Sequence, residues 1–194
     1  TNSNEIADWL DCKLVKNDWR PVPLSEGVCD GGQVTMSDGE TFEVKPSLRG
    51  IPIDLGVQSV QQGGQSLVFA ETRVRSKSLA TKAADVVSQL LQKKELTALE
   101  KTSKQILAEN EHTEIVKTLA TLIKKGVAFH HAGLNQKCRE IVEKEFRKGT
   151  IKLLSSTPTL AAGVNLPARR VVISNINRYN AKVGANRPIS VLEY

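Results

Sequence analysis

The sequence predicts an α/β fold with a parallel sheet flanked by helices, and two observations support this prediction. Short apolar runs alternate along the chain with longer segments whose apolar residues follow helical spacing, a pattern typical of parallel βαβ units. Aromatic residues make up only 4% of the 194 residues, so aliphatic side chains must build most of the core. Such a composition favours a helix-covered sheet over an aromatic-rich β-sandwich.

Four apolar runs are the predicted strands of this sheet. They span residues 66–70, 127–130, 151–155 and 171–174. The segments between them carry apolar residues on one helical face. The predicted helices lie from Ser76 to Leu91, at residues 94–110, at residues 115–123 before Gly126, and from Asn135, which can act as an N-cap, to Gly149.

The N-terminal third of the chain holds weaker signals. A helix capped by Ser3 or Asn4 can run to Leu10, and residues 12–15 can form a strand. Residues 27–44 alternate apolar with polar side chains and predict a β-hairpin that turns at residues 37–40. The following segment to residue 65 shows little periodicity, so it is predicted as a loop with room for one short helix.

A second β-hairpin is predicted near the C-terminal end. Residues 171–180 and 189–192 are rich in strand-forming side chains. The segment between them, residues 181–187, contains Gly184 and the basic residues Lys182 and Arg187. This hairpin would therefore have a basic tip.

Charge and cysteine content limit the classes of protein that fit. The net charge of +6 permits a nucleic-acid partner without requiring one. Cys12, Cys29 and Cys138 are widely spaced and lack a C-x-x-C pair, so we expect neither disulfides nor a zinc site, and a reducing cytoplasm. No apolar run approaches the roughly 18 residues of a membrane span, and the chain shows no signal-peptide character. We therefore expect no membrane partner.

A run of hydroxyl residues follows the third predicted strand, at Ser155-Ser156-Thr157-Pro158-Thr159. Hydroxyls and free backbone N–H groups at a strand-to-helix junction can bind an anion such as phosphate. Gly163, slightly further on, would let the backbone approach a ligand closely. An ordinary threonine-capped connection explains the same residues equally well, so the residues alone leave both interpretations open.

Three stretches resemble motifs of the Ski2-like branch of superfamily 2 helicases. Residues 156–169, S-T-P-T-L-A-A-G-V-N-L-P-A-R, resemble motif V of that branch. Residues 129–134, F-H-H-A-G-L, resemble the element before it, and residues 67–73, L-V-F-A-E-T-R, resemble motif IV. Residues 18–24, D-W-R-P-V-P-L, are similar to the segment that enters the second motor domain. The order and spacing are most similar to archaeal DNA-repair helicases of the Holliday-junction-migration type.

The resemblance implies a RecA-like fold and a position within a larger motor protein. Residues 1–24 would be the tail of a first motor domain and the linker, and residues 25–194 would be the second motor domain, cut before motif VI. Within it, residues 27–45 would form an accessory hairpin and residues 175–192 a strand-separating hairpin. The implied activity is ATP-dependent translocation from 3′ to 5′ on single-stranded DNA and unwinding of forked DNA in repair and recombination.

The resemblance also implies cofactors, partners and location. ATP and Mg²⁺ would be held mostly by the first motor domain. Partners would be single-stranded and forked DNA, the first RecA-like domain and C-terminal domains of the same protein, in the nucleoid-associated cytoplasm. The sequence contains neither G-x-x-x-x-G-K-[ST] nor D-E-x-H, so we expect this chain alone to be inactive as an ATPase.

Individual roles follow from the same resemblance. The residues implied to approach ATP are Gly163 and Asn165, and those implied to hold the DNA backbone are Thr72, Arg73, His131, Gly133, Thr157 and Thr159. The hairpin residues implied in strand separation are Arg178, Tyr179, Lys182 and Arg187. Structural alternatives stay open for Thr72 as a helix N-cap, Arg73 in a surface salt bridge, Asn165 as a loop-stabilising side chain, and the hairpin as a plain surface loop.

Two other functions fit parts of the pattern. An RNA helicase of the Ski2-like branch would share the motor motifs but is expected to lack this kind of hairpin, and a preference for RNA or DNA forks separates the two. A non-catalytic RecA-like module that binds nucleic acid would have no Walker A sequence anywhere in its gene. The adjacent His130 and His131 do not predict a metal site, since neighbouring side chains on a strand point to opposite faces.

Overall fold

A computed structural model describes residues 3–17, 19–20, 22–160, 166–180 and 185–188; at residues 159, 177–180 and 185–188 the description is of the backbone. The described residues up to Glu43 form one compact unit, and Val44–Pro188 form another. The domain boundary predicted at residue 24 remains a prediction. Within the described residues, every helix is too short or too polar to span a bilayer.

The N-terminal unit contains a helix and a small antiparallel sheet. Helix α1 spans Ser3–Trp9, and the strands are β1 (Gly27–Asp30), β2 (Gln33–Met36) and β3 (Thr41–Glu43), paired in that order. The β2–β3 hairpin and its turn confirm the prediction, but the turn between β1 and β2 was missed. Its signal was the Gly31-Gly32 pair, whose φ angles of 57° and 99° form a two-residue turn of the kind that joins adjacent strands.

The strand predicted at residues 12–15 is wrong, since these residues are irregular. An apolar tetrapeptide becomes a strand only when a neighbouring strand bonds its backbone. No described strand pairs with this one, and Val15 is 82% exposed.

The second unit contains the predicted parallel sheet. Its strands are β4 (Ser66–Phe69), β5 (Val127–His130), β6 (Leu153–Ser156) and β7 (Arg170–Ile173), in the spatial order β5-β6-β4-β7 and all parallel. The last residues of the four strands stand at one level of the register. The loops that follow the strands therefore leave from one edge of the sheet, which we call the carboxyl edge.

Among the described residues of this unit, five α-helices surround the sheet: α2 (Ile51–Gln61), α3 (Arg73–Ser88), α4 (Lys93–Glu109), α5 (Glu114–Lys124) and α6 (Gln136–Arg147). Helices α3 to α6 confirm the predicted segments. Helices α2 and α3 pack against each other on one face, where α2 meets Val68 and Leu153. On the other face the side chain of His130 bonds Glu143 of α6. The fold is the predicted α/β, RecA-like one.

Helix α2 is longer than the short helix allowed for in this segment. Pro52 stands in its first turn, where a missing N–H costs no hydrogen bond. Gly56 faces the sheet, and a Cβ there would lie 3.0 Å from Leu153 Cδ1 and 3.2 Å from Ser66 Oγ. The residues that looked like helix breakers thus allow the helix to start and to approach the sheet closely.

A hairpin of β8 (Asn177–Asn180) and β9 (Ala185–Pro188) follows β7, as predicted. Its second strand begins earlier than expected, so Arg187 pairs with Arg178 in the strand register and does not belong to the turn. Pairing that starts at Ala185 is favourable because each additional paired residue adds hydrogen bonds to the ladder. Lys182 and the strand predicted at residues 189–192 lie outside the described residues.

Candidate functional site

Three loops that carry the predicted site residues meet at the carboxyl edge. They follow β4, β5 and β6, and backbone hydrogen bonds continue between them beyond the strands. The Thr157 N–H donates to the His130 carbonyl at 3.2 Å, and the Ala70 N–H donates to the Ser156 carbonyl at 2.7 Å. The parallel topology therefore brings together motif stretches that are far apart in the sequence.

Thr72 and Arg73 begin helix α3 at this edge. The Thr72 hydroxyl accepts a hydrogen bond from the Arg75 N–H at 3.1 Å, so Thr72 is the N-cap that the sequence allowed. Both Thr72 and Arg73 are exposed. Arg73 forms no salt bridge with any described carboxylate, which leaves its guanidinium charge uncompensated at the surface.

The loop after β5 is shaped by His131. This ring is 3% exposed and stacks on Phe129 with 5.4 Å between ring centroids. Its Nδ1 accepts from the Gly133 N–H at 3.0 Å, so a neutral ring carries its proton on Nε2. The carbon that a side chain at Gly133 would add lies 3.0 Å from that ring and 3.4 Å from Arg73 Nη1. Gly133 is exposed, and its missing side chain lets Arg73 lie directly over this loop.

His130 points to the other face of the sheet. Its Nε2 lies 2.9 Å from Glu143 Oε1 of helix α6, and its Nδ1 is buried without a hydrogen-bond partner among the described residues. The neighbouring rings thus lie on opposite faces of the sheet, as strand alternation predicts. In the described part of the chain, no trio of His, Cys, Asp or Glu side chains is grouped to hold a metal ion.

Both histidines are held neutral by their surroundings. Burial lowers the pKa of His130 below its ordinary 6.5, although the Glu143 carboxylate opposes this effect. Burial and then the Arg73 charge lower the pKa of His131 below 6.5. A protonated ring at either position would lose hydration, so burial favours the neutral form of both histidines.

We expect this arrangement to make the domain less stable in mild acid. Because the folded state binds fewer protons at His130 and His131 than the unfolded state, stability rises with pH in the titration range. The full contribution is present above the ordinary pKa of about 6.5 and is lost progressively as pH falls below it. Urea unfolding at a series of pH values, monitored by amide exchange in β5, gives the slope of the unfolding free energy against pH. The double variant H130Q/H131Q should show a smaller slope, and an unchanged slope would contradict the prediction.

The loop after β6 carries the motif V residues. Thr157 is 7% exposed at the end of the strand, and Thr159 lies in a single 3₁₀ turn, Pro158–Leu160. Gly163 and Asn165 lie outside the described residues, as do the side chains of Thr159, Arg178, Tyr179 and Arg187. The structure thus brings Arg73 against Gly133 and joins Thr157 to the end of β5.

Sequence reasoning missed two buried hydroxyls that connect these elements. Ser76 Oγ donates to the Ser155 carbonyl at 2.9 Å, which ties α3 to β6. Ser156 Oγ lies 3.0 Å from the carbonyls of both His130 and Thr157. The available signal was a polar residue at an apolar position of a predicted strand or helix face, but a sequence does not show which partner such a residue meets.

Comparison with known proteins identifies the family. The model of the helicase conserved C-terminal domain matches residues 85–183. An ATP-dependent DNA helicase Hel308 of Methanocella arvoryzae is 42% identical over 193 residues, covering 100% of this chain and 26% of that protein. The Hel308 proteins of Pyrobaculum calidifontis and Aeropyrum pernix are 42% and 43% identical over 194 residues, covering 27% and 26% of their lengths. The chain therefore spans about a quarter of these relatives.

The motif stretches lie in the order and on the strands that the resemblance implied, and the family model covers more than half of the chain. The chain belongs to the family of helicase conserved C-terminal domains, as a C-terminal RecA-like domain of the Ski2-like branch of superfamily 2.

Proposed function

We propose that this chain is the second motor domain of an ATP-dependent DNA helicase, which moves from 3′ to 5′ on single-stranded DNA and unwinds forked DNA in repair and recombination. The observation that carries the proposal is the close approach of Arg73 of motif IV to Gly133 of the F-H-H-A-G-L element at the carboxyl edge, where Arg73 Nη1 lies 3.4 Å from the position that a Cβ on Gly133 would occupy. The names of the Hel308 relatives, which are DNA helicases, support the choice of DNA.

The carboxyl edge offers groups that hold a phosphate backbone regardless of base. Arg73 supplies an exposed guanidinium without a described carboxylate partner, and Thr72 supplies an exposed residue at the start of a 16-residue helix. Gly133 supplies an exposed backbone without a side chain. Hydroxyl, guanidinium and backbone groups that contact phosphates position a strand and carry no sequence information, as a translocating motor requires.

The buried members of the set would act from below this surface. His131 would hold the Gly133 N–H and so fix the loop that approaches the strand. Thr157, at the end of β6, would lie beneath the proposed DNA-binding surface, and Thr159 would lie on the turn that follows. A single DNA strand bound at Arg73 and Gly133 would then run along the carboxyl edge of the sheet.

ATP would be shared with another domain. The chain has no Walker A or Walker B sequence, so ATP and Mg²⁺ would be held mostly by the first RecA-like domain, and this chain alone would not hydrolyse ATP. Gly163 and Asn165 would form the wall on this side, through close backbone approach and a side-chain amide. Closure of the two domains around ATP would shift the contacts at Thr72 and Arg73 relative to those of the first domain.

The β8–β9 hairpin favours a DNA helicase over an RNA helicase of the same branch. It stands after motif V, where the resembling DNA-repair helicases carry the hairpin that splits the duplex. Strand separation at Arg178, Tyr179, Lys182 and Arg187 would convert translocation into unwinding.

The test uses the protein at its full natural length. We expect single-stranded DNA to stimulate ATP hydrolysis strongly and single-stranded RNA of the same sequence to stimulate it weakly, with unwinding only of forks that carry a 3′ tail. Stronger stimulation by RNA would favour the RNA helicase. No stimulation by either nucleic acid would refute a motor function and leave a non-catalytic module.

A further inference from the structure

We infer that Ser156 is a positioning residue, which fixes the loop after β6 relative to the loop after β5 and so sets the spacing between two groups of DNA-backbone contacts. The inference rests on the proposed function and deepens it. Ser156 is fully buried, at 0% exposure, and its hydroxyl lies 3.0 Å from the His130 carbonyl and 3.0 Å from the Thr157 carbonyl.

These contacts hold Thr157, the first residue of the loop after β6, through both of its backbone polar groups. The Thr157 N–H donates to the His130 carbonyl at 3.2 Å, and the Thr157 carbonyl faces the Ser156 hydroxyl. The hydroxyl has a single proton for two carbonyls, so it bridges them or alternates between them. In either case the Thr157 backbone is tied to the end of β5, directly through its N–H and through the Ser156 hydroxyl, beyond the last register pair of the two strands.

The two strands that Ser156 joins lead into the two proposed contact loops. Gly133 follows His130 by three residues, and Thr157 follows Ser156 directly. Neighbouring phosphates of a DNA strand are separated by a limited range of distances, so two loops that hold one strand bind best when the separation of the loops is preset. A side chain that links the starting points of the two loops therefore affects the affinity for DNA without touching the DNA.

The neighbouring Ser155 provides a matched comparison within the same strand. It is also buried at 0% exposure, but its Oγ has no hydrogen-bond partner among the described residues. Strand alternation places Ser155 on the α2–α3 face and Ser156 on the α6 face. Removing the Ser155 hydroxyl breaks no hydrogen bond seen here, whereas removing the Ser156 hydroxyl removes the side-chain link between the two loops and leaves the backbone bond from the Thr157 N–H.

The experiment compares S156A, S155A and S156T in the full-length protein. We measure the concentration of single-stranded DNA that gives half-maximal stimulation of ATP hydrolysis, the kcat at saturating DNA and the thermal midpoint. S156A should raise the half-maximal concentration about fivefold, the size expected for one lost hydrogen bond, with little change in kcat. S155A should match wild type, and S156T, which keeps the hydroxyl, should recover most of the affinity.

Three results would overturn the inference. The first is an S156A affinity equal to wild type. The second is an equal loss in S155A, and the third is an S156A loss that S156T does not recover, since both would show a packing effect. If S156A does not fold, S156C, which has a similar shape and a weaker donor, takes its place with the same expected order. A wild-type protein that single-stranded DNA does not stimulate would instead refute the proposed function, and the inference with it.

Discussion

Replacement of residues 177–187 by a short glycine-containing turn is expected to abolish the unwinding of forked DNA while DNA-stimulated ATP hydrolysis continues near the wild-type rate. The replaced segment is an antiparallel hairpin that follows β7, and its removal leaves the strands and the loops of the carboxyl edge unchanged in sequence. The register places Arg178 and Arg187 at one level, with Tyr179 at the next. An aromatic side chain that stacks on an unpaired base contributes about 1–3 kcal/mol to binding of that base. Losing Tyr179 would therefore remove a large part of the free energy that holds the strands apart.

The measurement pairs a fork-unwinding assay with ATP hydrolysis on single-stranded DNA. The single variant Y179A should reduce unwinding less than the full replacement, since the hairpin backbone is kept. A glycine-containing replacement of the β2–β3 turn at residues 37–40 is the control, and it should leave unwinding unchanged. Unwinding that survives the hairpin replacement would make the hairpin a plain surface loop. Loss of ATP hydrolysis together with unwinding would contradict a separate role for the hairpin.

The central sheet and most of its helices were predictable because their signals are local. Thr72, Thr113 and Asn135 each cap a helix by accepting a hydrogen bond from an N–H three residues ahead, and this geometry needs no distant partner. The apolar face of α6 repeats at helical spacing because one side of that helix lies on the sheet. Where the local and tertiary demands agree, periodicity alone locates the element.

The missed elements depend on tertiary contact. Glycine usually weakens a helix, yet at Gly56 the missing side chain lets α2 approach Leu153 and Val68 closely. The predicted strand at residues 12–15 fails for the opposite reason, since an apolar run without a pairing neighbour gains no ladder hydrogen bonds. In the first case the deciding partner is distant in the chain, and in the second the described residues contain no pairing strand.

The candidate site divides in the same way. The resemblance supplied the names of the residues, and the parallel topology explains why the loops that carry them meet at one edge. The burial of His131, the approach of Arg73 to Gly133, and the partners of Ser156 could not be predicted. Each depends on a distance between strands that are separated by many residues in the sequence, and no local pattern encodes such a distance.

The substitution R73A is expected to weaken the binding of single-stranded DNA by about tenfold to a hundredfold, the range for a lost hydrogen bond to a charged group. Arg73 is exposed, lies close to Gly133 and has no described carboxylate partner. It can therefore bind a phosphate without first breaking an ion pair with a described side chain. The loss should be similar for all DNA sequences, because a phosphate contact reads no base. The dependence of log affinity on log salt should become shallower by about 0.7, as expected for one lost phosphate contact on a single strand.

Two comparison variants separate the phosphate contact from general charge. K82A removes an exposed cation from the same helix, roughly 13 Å further along its axis, and should change affinity only slightly. R73K keeps the charge but loses the planar, two-pronged donor, so its affinity should fall between those of R73A and wild type. Fluorescence anisotropy with labelled single strands at several salt concentrations measures all three. Equal losses in R73A and K82A would show that only the net positive charge of the domain matters. In that case the contact of Arg73 with Gly133 would have no role in holding the strand.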